Sequence, residues 1–364
     1  MVKAITFYLP QFHPIPENDE WWGKGFTDWI NAVKARPQFE GHYQPHLPAD
    51  LGFYDPRLAE SREAQAELAQ EYGIHGFCYY HYWFNGRRLL ERPVNELICT
   101  GRPEMPFCLC WANENWTRRW DGMDSEILIQ QVYSASDDQE HIRNLIPAFT
   151  DPRYIKVDEK PVFLVYRTNW LPEPLRTTEI WRREAERAGL PGLFLVRVES
   201  LPTETGDPRL LGFDSSLEFQ PRWQLLGRQR VYRRKWWHRQ RLGTGEPGFI
   251  RSKVYEYDHL VQAALAMTPP SYPLIRGVCP GFDNTARRQN GAIILKDATP
   301  ESYEHWLSSV LRTNRSLKLR DAPETQFVFI NAWNEWAEGN HLEPCQKWRR
   351  AYLEATRDAL KEAD

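Results

Sequence analysis

The chain has 364 residues, of which 41% are apolar, and a formal net charge of −3. That apolar share supports a full core and excludes a disordered chain, and the near-neutral charge gives no global field for nucleic acid. Aromatic residues make up 13%, with 16 Trp and 16 Tyr; their flat apolar faces and polar handles suit either a Trp-rich core or a wall on which sugar rings stack.

In chain order, short apolar runs alternate with helix-like stretches. Strands are predicted over Ala4–Leu9, Gly76–Tyr82, Phe107–Ala112, Val162–Tyr166, Leu193–Val198, Asp214–Phe219, Leu274–Val278 and Phe327–Ala332. Helices are predicted over Pro56–Tyr72, Val94–Ile98, Asp137–Phe149, Glu179–Ala188, Val254–Ala266, Pro300–Leu311 and Trp348–Lys361. Residues 10–54 read as a long loop. This order predicts an α/β fold, a single (β/α)8 barrel with long βα-loop insertions, spanning 1–364 as one catalytic domain. A doubly wound sheet is the alternative, but no strand is followed by a Gly-x-Gly-x-x-Gly turn.

Six cysteines (78, 99, 108, 110, 279 and 345) include no C-x-x-C pair. They read as buried free thiols rather than zinc ligands or a redox pair. The start of the sequence shows no basic segment leading into a long apolar one, so a cytoplasmic protein without a membrane span is expected. His42 and His46 have metal-like spacing, but Pro45 between them breaks a helix; no metal or cofactor is expected.

In such barrels the chemistry sits at the carboxyl ends of the strands. Those ends carry Tyr8, Gln11 and His13; Tyr80, His81 and Trp83; Trp111, Asn113, Glu114 and Trp116; Tyr166; Glu218; Asp283; and, densest of all, Asn331, Trp333, Asn334, Glu335, Glu338 and His341. A strand exit crowded with carboxylates, amides and indoles is not an ordinary surface turn. Glu335 and Glu338 are three apart, as the first turn of a helix would place them on one side, and two framed carboxylates suit acid/base work on a sugar. The plain alternative is Glu at a helix N-terminus. His81 reads equally as an acid/base, a hydroxyl contact or a satisfied rim histidine. Glu114 reads as a catalyst or a hydroxyl-binding support, and Trp111 and Trp116 as sugar platforms or barrel packing. An insertion over residues 220–250 holds the basic, aromatic run Arg228–Arg241; it suits an anionic glycan, a lipid-linked carrier or a membrane surface, or is a solvated loop.

The stretches Tyr8–His13, Trp21–Trp29, Tyr43–Pro48, Tyr79–Phe84 and Trp111–Trp116 resemble the WbsX-like proteins of bacterial polysaccharide clusters. These are similar to glycoside hydrolase family 99, the endo-α-mannanase and endomannosidase family. The resemblance covers most of the chain and is densest before residue 125 and after 325. It implies a (β/α)8 barrel and a glycoside hydrolase, retaining or transglycosylating, in which the substrate's own 2-hydroxyl attacks the anomeric carbon. It implies Glu335 as the base, Glu338 as the acid/base, and Trp29 and His46 among the substrate contacts. The chain departs at Ala337, where the hydrolases tend to carry His, which leaves the sugar open. WbsX-like proteins have also been labelled glycosyltransferases, so a transferase of polysaccharide synthesis and a non-catalytic glycan-binding protein stand as alternatives.

Overall fold

The structure, a computed structural model, describes residues 2–118, 123–227, 252–288, 290–318 and 326–363. Its centre is a closed ring of eight parallel strands: β1 (Lys3–Tyr8), β2 (Gly76–Phe84), β3 (Phe107–Trp111), β4 (Lys160–Val165), β5 (Phe194–Glu199), β6 (Ser215–Glu218), β7 (Leu274–Val278) and β8 (Phe327–Ile330). Each pairs with its neighbours in the chain, and β1 closes the ring by pairing with both β2 and β8. Lys3 lies opposite Phe327, and Ile5 opposite Gly76.

Helices cover the outside, so both faces of the sheet are buried and the strands carry nearly continuous apolar runs. All of β2 is buried, as are β3 and β8. Alternate residues still face opposite ways. Phe7 points into the barrel, where its ring centre lies 5.4 Å from Tyr80, 5.2 Å from Phe219 and 5.7 Å from Phe329. Tyr8 points out and donates its hydroxyl to Gln65 at 2.8 Å, on helix α1 (Ala59–Glu71). Gly277 on β7 lies against β6 with no room for a side chain: a Cβ there would lie 2.1 Å from the Glu218 carbonyl oxygen.

The helical layer continues with α2 (Arg92–Thr100), α3 (Ala135–Phe149), α4 (Pro174–Arg187), α5 (Tyr257–Leu265), α6 (Pro300–Lys318) and α7 (Ala351–Ala363). Ser134 caps α3 by accepting from the Asp137 N–H at 3.1 Å. Between β5 and β6 two 3-10 turns, Pro202–Glu204 and Pro208–Leu211, stand in place of a helix.

The loops on the carboxyl rim hold more structure than the sequence predicts. Residues 10–54 contain two short helices, Pro16–Trp22 and Asp28–Lys34. A hairpin, Trp116–Arg118 with Met123–Ile129, rises after β3. The helix predicted from Val254 begins only at Tyr257, because Lys253–Glu256 is a strand paired in parallel with Ile293–Lys296. All six cysteines are free; five are buried as expected, but Cys99 is exposed on α2. Among the described residues, no helix is long and apolar enough to cross a membrane.

Candidate active site

After β8 the chain does not start an α-helix. Asn334–Glu335 and Asn340–His341 form a two-residue antiparallel pair, and Trp336–Glu338 between them is a single 3-10 turn. With three residues per turn, positions i and i+3 eclipse, so Glu335 and Glu338 share a side for a different reason from the α-helical one expected. Gly339 closes the turn at φ 54°, and a Cβ there would lie 3.1 Å from the Asp283 Cβ and 3.3 Å from the His46 ring. A side chain would meet both strain and crowding.

This turn is tied down from below. Asn334 accepts from the Leu9 N–H at 2.7 Å and donates to the Leu9 carbonyl at 3.0 Å, bridging the exits of β1 and β8. Buried Glu343 accepts from Trp336 Nε1 at 2.7 Å, Tyr54 Oη at 2.9 Å and Gln65 Nε2 at 2.6 Å. Burial raises its carboxyl to about 7, against the pull of those donors. Trp336 in turn stacks on His341 at 3.8 Å between ring centres. The turn is thus fixed through Asn334 and Glu343, whose side chains are matched to surrounding donors and acceptors.

Both glutamates open into a cleft of about 760 Å³ at the carboxyl rim, within the size range of ligand sites. Glu335 is 6% exposed, while the Glu338 side chain reaches further out at 24%. Arg287, from the 3-10 turn Asn284–Ala286 after β7, contacts Glu335 at 3.1 Å, Glu338 at 2.8 Å and fully buried Asp28 at 2.8 Å. Burial pushes Glu335 up to about 8; Arg287 opposes this, and Glu338 and Asp28 add to it. The three carboxylates together hold the Arg287 guanidinium well above its usual range despite its burial. The cleft therefore pairs a buried carboxyl that binds its proton tightly with a second, more open one.

Of the residues singled out in the sequence, Gln11, Tyr80, Glu114, Trp116 and Tyr166 line this cleft with Glu335 and Glu338. Glu114 accepts from Arg167 Nε at 2.9 Å, and the Arg167 guanidinium lies 4.2 Å from the centre of the Tyr166 ring. The others lie elsewhere. His46, His341 and Asp283 line a separate cavity of about 100 Å³ behind the Gly339 turn; His46 and His341 are 2.9 Å apart, and Asp283 holds His42 at 2.5 Å. His81 packs outward against His141 of α3, 2.9 Å between ring nitrogens, and burial drives it well below its usual range. Trp83 donates to Asp137 and Trp111 to the Trp83 carbonyl, so both indoles are walled in. Tyr8 and Trp333 are buried in packing. Trp29 donates to the Tyr54 carbonyl, and His13 bonds the Pro10 carbonyl. Asn113, Asn331 and Asn334 use their amides on backbone groups. Glu218 is enclosed with Arg276 and Arg222. The basic run Arg228–Arg241 lies outside the described residues.

Arg287 and Trp223 escaped the sequence reading; Trp21, Trp22, Asp28, Tyr82 and Phe219 stood in the quoted stretches but were not named as site residues. Reading four residues beyond Asp283 at the β7 exit would have reached Arg287. Among the described residues, no group of three or more His, Cys, Asp and Glu side chains is placed to hold a metal ion.

A family model described as "Glycosyltransferase WbsX" matches residues 4–356. The "Uncharacterized protein WxcX" of Xanthomonas campestris pv. campestris strain B100 is 44% identical over 364 residues, covering 99% of this chain and 50% of that protein. The chain thus spans about half the length of the curated relatives it matches. Among solved structures, an endo-α-mannosidase of glycoside hydrolase family 99 from Bacteroides thetaiotaomicron superposes with a TM-score of 0.57 at 14% identity, over 99% of this chain and 97% of that one. A protein described as glycoside hydrolase-like superposes with a TM-score of 0.58 at 11% identity, over 98% and 93%. At these identities the likeness is one of fold.

Proposed function

The chain belongs to the WbsX family, and from that premise we propose that it is a glycoside hydrolase, or a transglycosidase of the same chemistry, acting on a poly- or oligosaccharide. One observation carries the reading: Glu335 and Glu338 share one turn, one arginine and one aromatic-walled cleft at the carboxyl end of the barrel. Glu335 acts as the base on the substrate's 2-hydroxyl. That hydroxyl is a weak acid, so a base made stronger by burial suits the task. Glu338 delivers a proton to the leaving oxygen and then takes one from the incoming water or sugar hydroxyl. Trp116, Tyr166 and Trp223 offer ring faces for sugars along the cleft. Residues 1–364 act as one catalytic domain in this reading.

The test is turnover on a panel of defined polysaccharides with product analysis. Glu335→Gln and Glu338→Gln are each expected to lower kcat by a factor of about 100 or more; full turnover in both variants would sink the reading. A transferase reading draws on the description of the matched family model and shares the same cleft. It predicts tight binding of a sugar nucleotide, and calorimetry against common sugar nucleotides separates the two. Bis-Tris propane, present in a complex of the Bacteroides mannosidase, is a cationic polyhydroxylated probe for the carboxylates in a thermal-shift assay.

A further inference from the structure

The guanidinium of Arg287 has a single N–H on Nε and two on each terminal nitrogen, all in one plane. Its Nε and Nη2 face Asp28, at 3.3 Å to Oδ1 and 2.8 Å to Oδ2. Asp28 is fully buried and also accepts from Asn31 Nδ2 at 3.0 Å, so this fork fixes the guanidinium plane. The same Nη2 reaches Glu335 Oε2 at 3.1 Å, and Nη1 reaches Glu338 Oε1 at 2.8 Å. One rigid cation thus touches both members of the acid pair while its other edge is locked. Besides Arg287 and Asp28, the Glu335 charge is felt by Tyr80 and Tyr82 and the Glu338 charge by Tyr166, and burial keeps all three phenols protonated; Glu114, Arg167, Lys253 and Arg288 line the same cleft.

We infer that Arg287, locked by Asp28, is a positioning residue that keeps one positive charge in contact with the acid pair before and after the chemical step. The inference rests on the acid-pair reading above. The step is taken by the form in which Glu335 is the anion, although burial favours its proton, and Glu338 carries the one proton of the pair. The substrate O2–H bond breaks and its proton goes to Glu335, while O2 bonds to C1. The C1–O glycosidic bond breaks, and its oxygen takes the proton of Glu338. Glu335 ends neutral and Glu338 anionic. The pair carries one negative charge throughout, and only its place changes. Because Arg287 already contacts both ends, the charge moves without the cation having to move, which is the gain that preorganised charge provides. A lysine ammonium lacks the planar fork and cannot hold Asp28, Glu335 and Glu338 in this arrangement.

The experiment is a pH titration of the Glu335 carboxyl by 13C NMR in protein labelled at glutamate, assigned by the signal lost in Glu335→Gln. Arg287→Met removes the cation and is expected to raise the midpoint by about one pH unit or more; Asp28→Asn removes a competing anion and is expected to lower it by a similar amount. Arg287→Lys serves if the Met variant does not fold, and is expected to move the midpoint upward by less. No shift, or shifts of one sign in both variants, overturns the inference. On any glycan the wild type turns over, Arg287→Lys should lower kcat about tenfold or more, with KM moved far less, and should displace the acid limb of the pH profile. If Glu335→Gln and Glu338→Gln abolish turnover but Arg287→Lys and Asp28→Asn leave kcat and pH profile unchanged, this inference alone fails. If the glutamate variants keep full turnover, the acid-pair reading fails instead.

Discussion

Two clusters of buried charge sit on the rim of this barrel, and they are built to opposite proportions. On the β5–β7 side, Glu199 and Glu218 are met by three arginines: Arg197 at 2.7 Å and Arg222 at 3.1 Å on Glu199, and Arg276 at 2.7 Å on Glu218. Both carboxylates there are 1% exposed or less. At the β8 exit the ratio is reversed, with Asp28, Glu335 and Glu338 sharing the contacts of Arg287. A cluster with cations in excess offers every carboxylate a guanidinium and serves the fold. A cluster with acids in excess has a place for a proton, and it is the one that opens to the cleft. Glu218 and Glu335 look alike in sequence, each at a strand exit; the count of neighbouring arginines separates them.

The contrast can be broken most sharply from the structural side. Arg276→Met leaves Glu218 with a single distant partner, Arg222 at 3.9 Å, and is expected to cost about 3–5 kcal/mol in urea unfolding; a loss under 1 kcal/mol would place the two clusters in one class. Removing an acid from the cleft should do the opposite. Glu335 titrates at about 8 in the folded chain against 4.5 ordinarily, so the unfolded state releases that proton first. Wild-type stability from this group is then complete below pH 4.5, falls as pH rises and levels off above about 8. Glu335→Gln removes that fall, and the variant should be more stable than wild type at pH 8 by roughly 2–4 kcal/mol, with little gain at pH 4. Equal stability at both pH values would contradict the raised carboxyl. The smallest expected effect is at the cleft wall: Trp116→Ala should weaken glycan binding by about five- to thirtyfold, worth about 1–2 kcal/mol, with kcat nearly unchanged. A loss confined to kcat would place Trp116 nearer the acids than the wall.

The eight strands and seven helices of the barrel were legible because parallel strands buried on both faces keep their apolar runs local in sequence. Lys253–Glu256 was not, since the strand that completes it is Ile293–Lys296, and a short run rich in Tyr and Val next to a helix carries no sign of a distant partner. The site divides in the same way. Glu335 and Glu338 announce themselves by spacing and by the indoles around them. Arg287 meets them from 48 and 51 positions away, and Asp28 meets Arg287 across 259, so nothing in any one stretch betrays the group that holds the pair. His81, Trp83 and Trp111 misled for a related reason: they stand on strands β2 and β3 as a rim residue would, but face the helices, a choice set by the alternation of the strand rather than by residue type.

The amide of Asn334 clasps the backbone of Leu9 across 325 positions. The acids stand on the seam where the last strand meets the first, so the ring must be joined before their turn is tied to the β1 exit. A nascent polypeptide that has left the ribosome only as far as β7 has neither acid, and one that has folded seven strands without the eighth has part of a cleft wall without them. Closure of the ring and completion of the acid cluster are thereby one event.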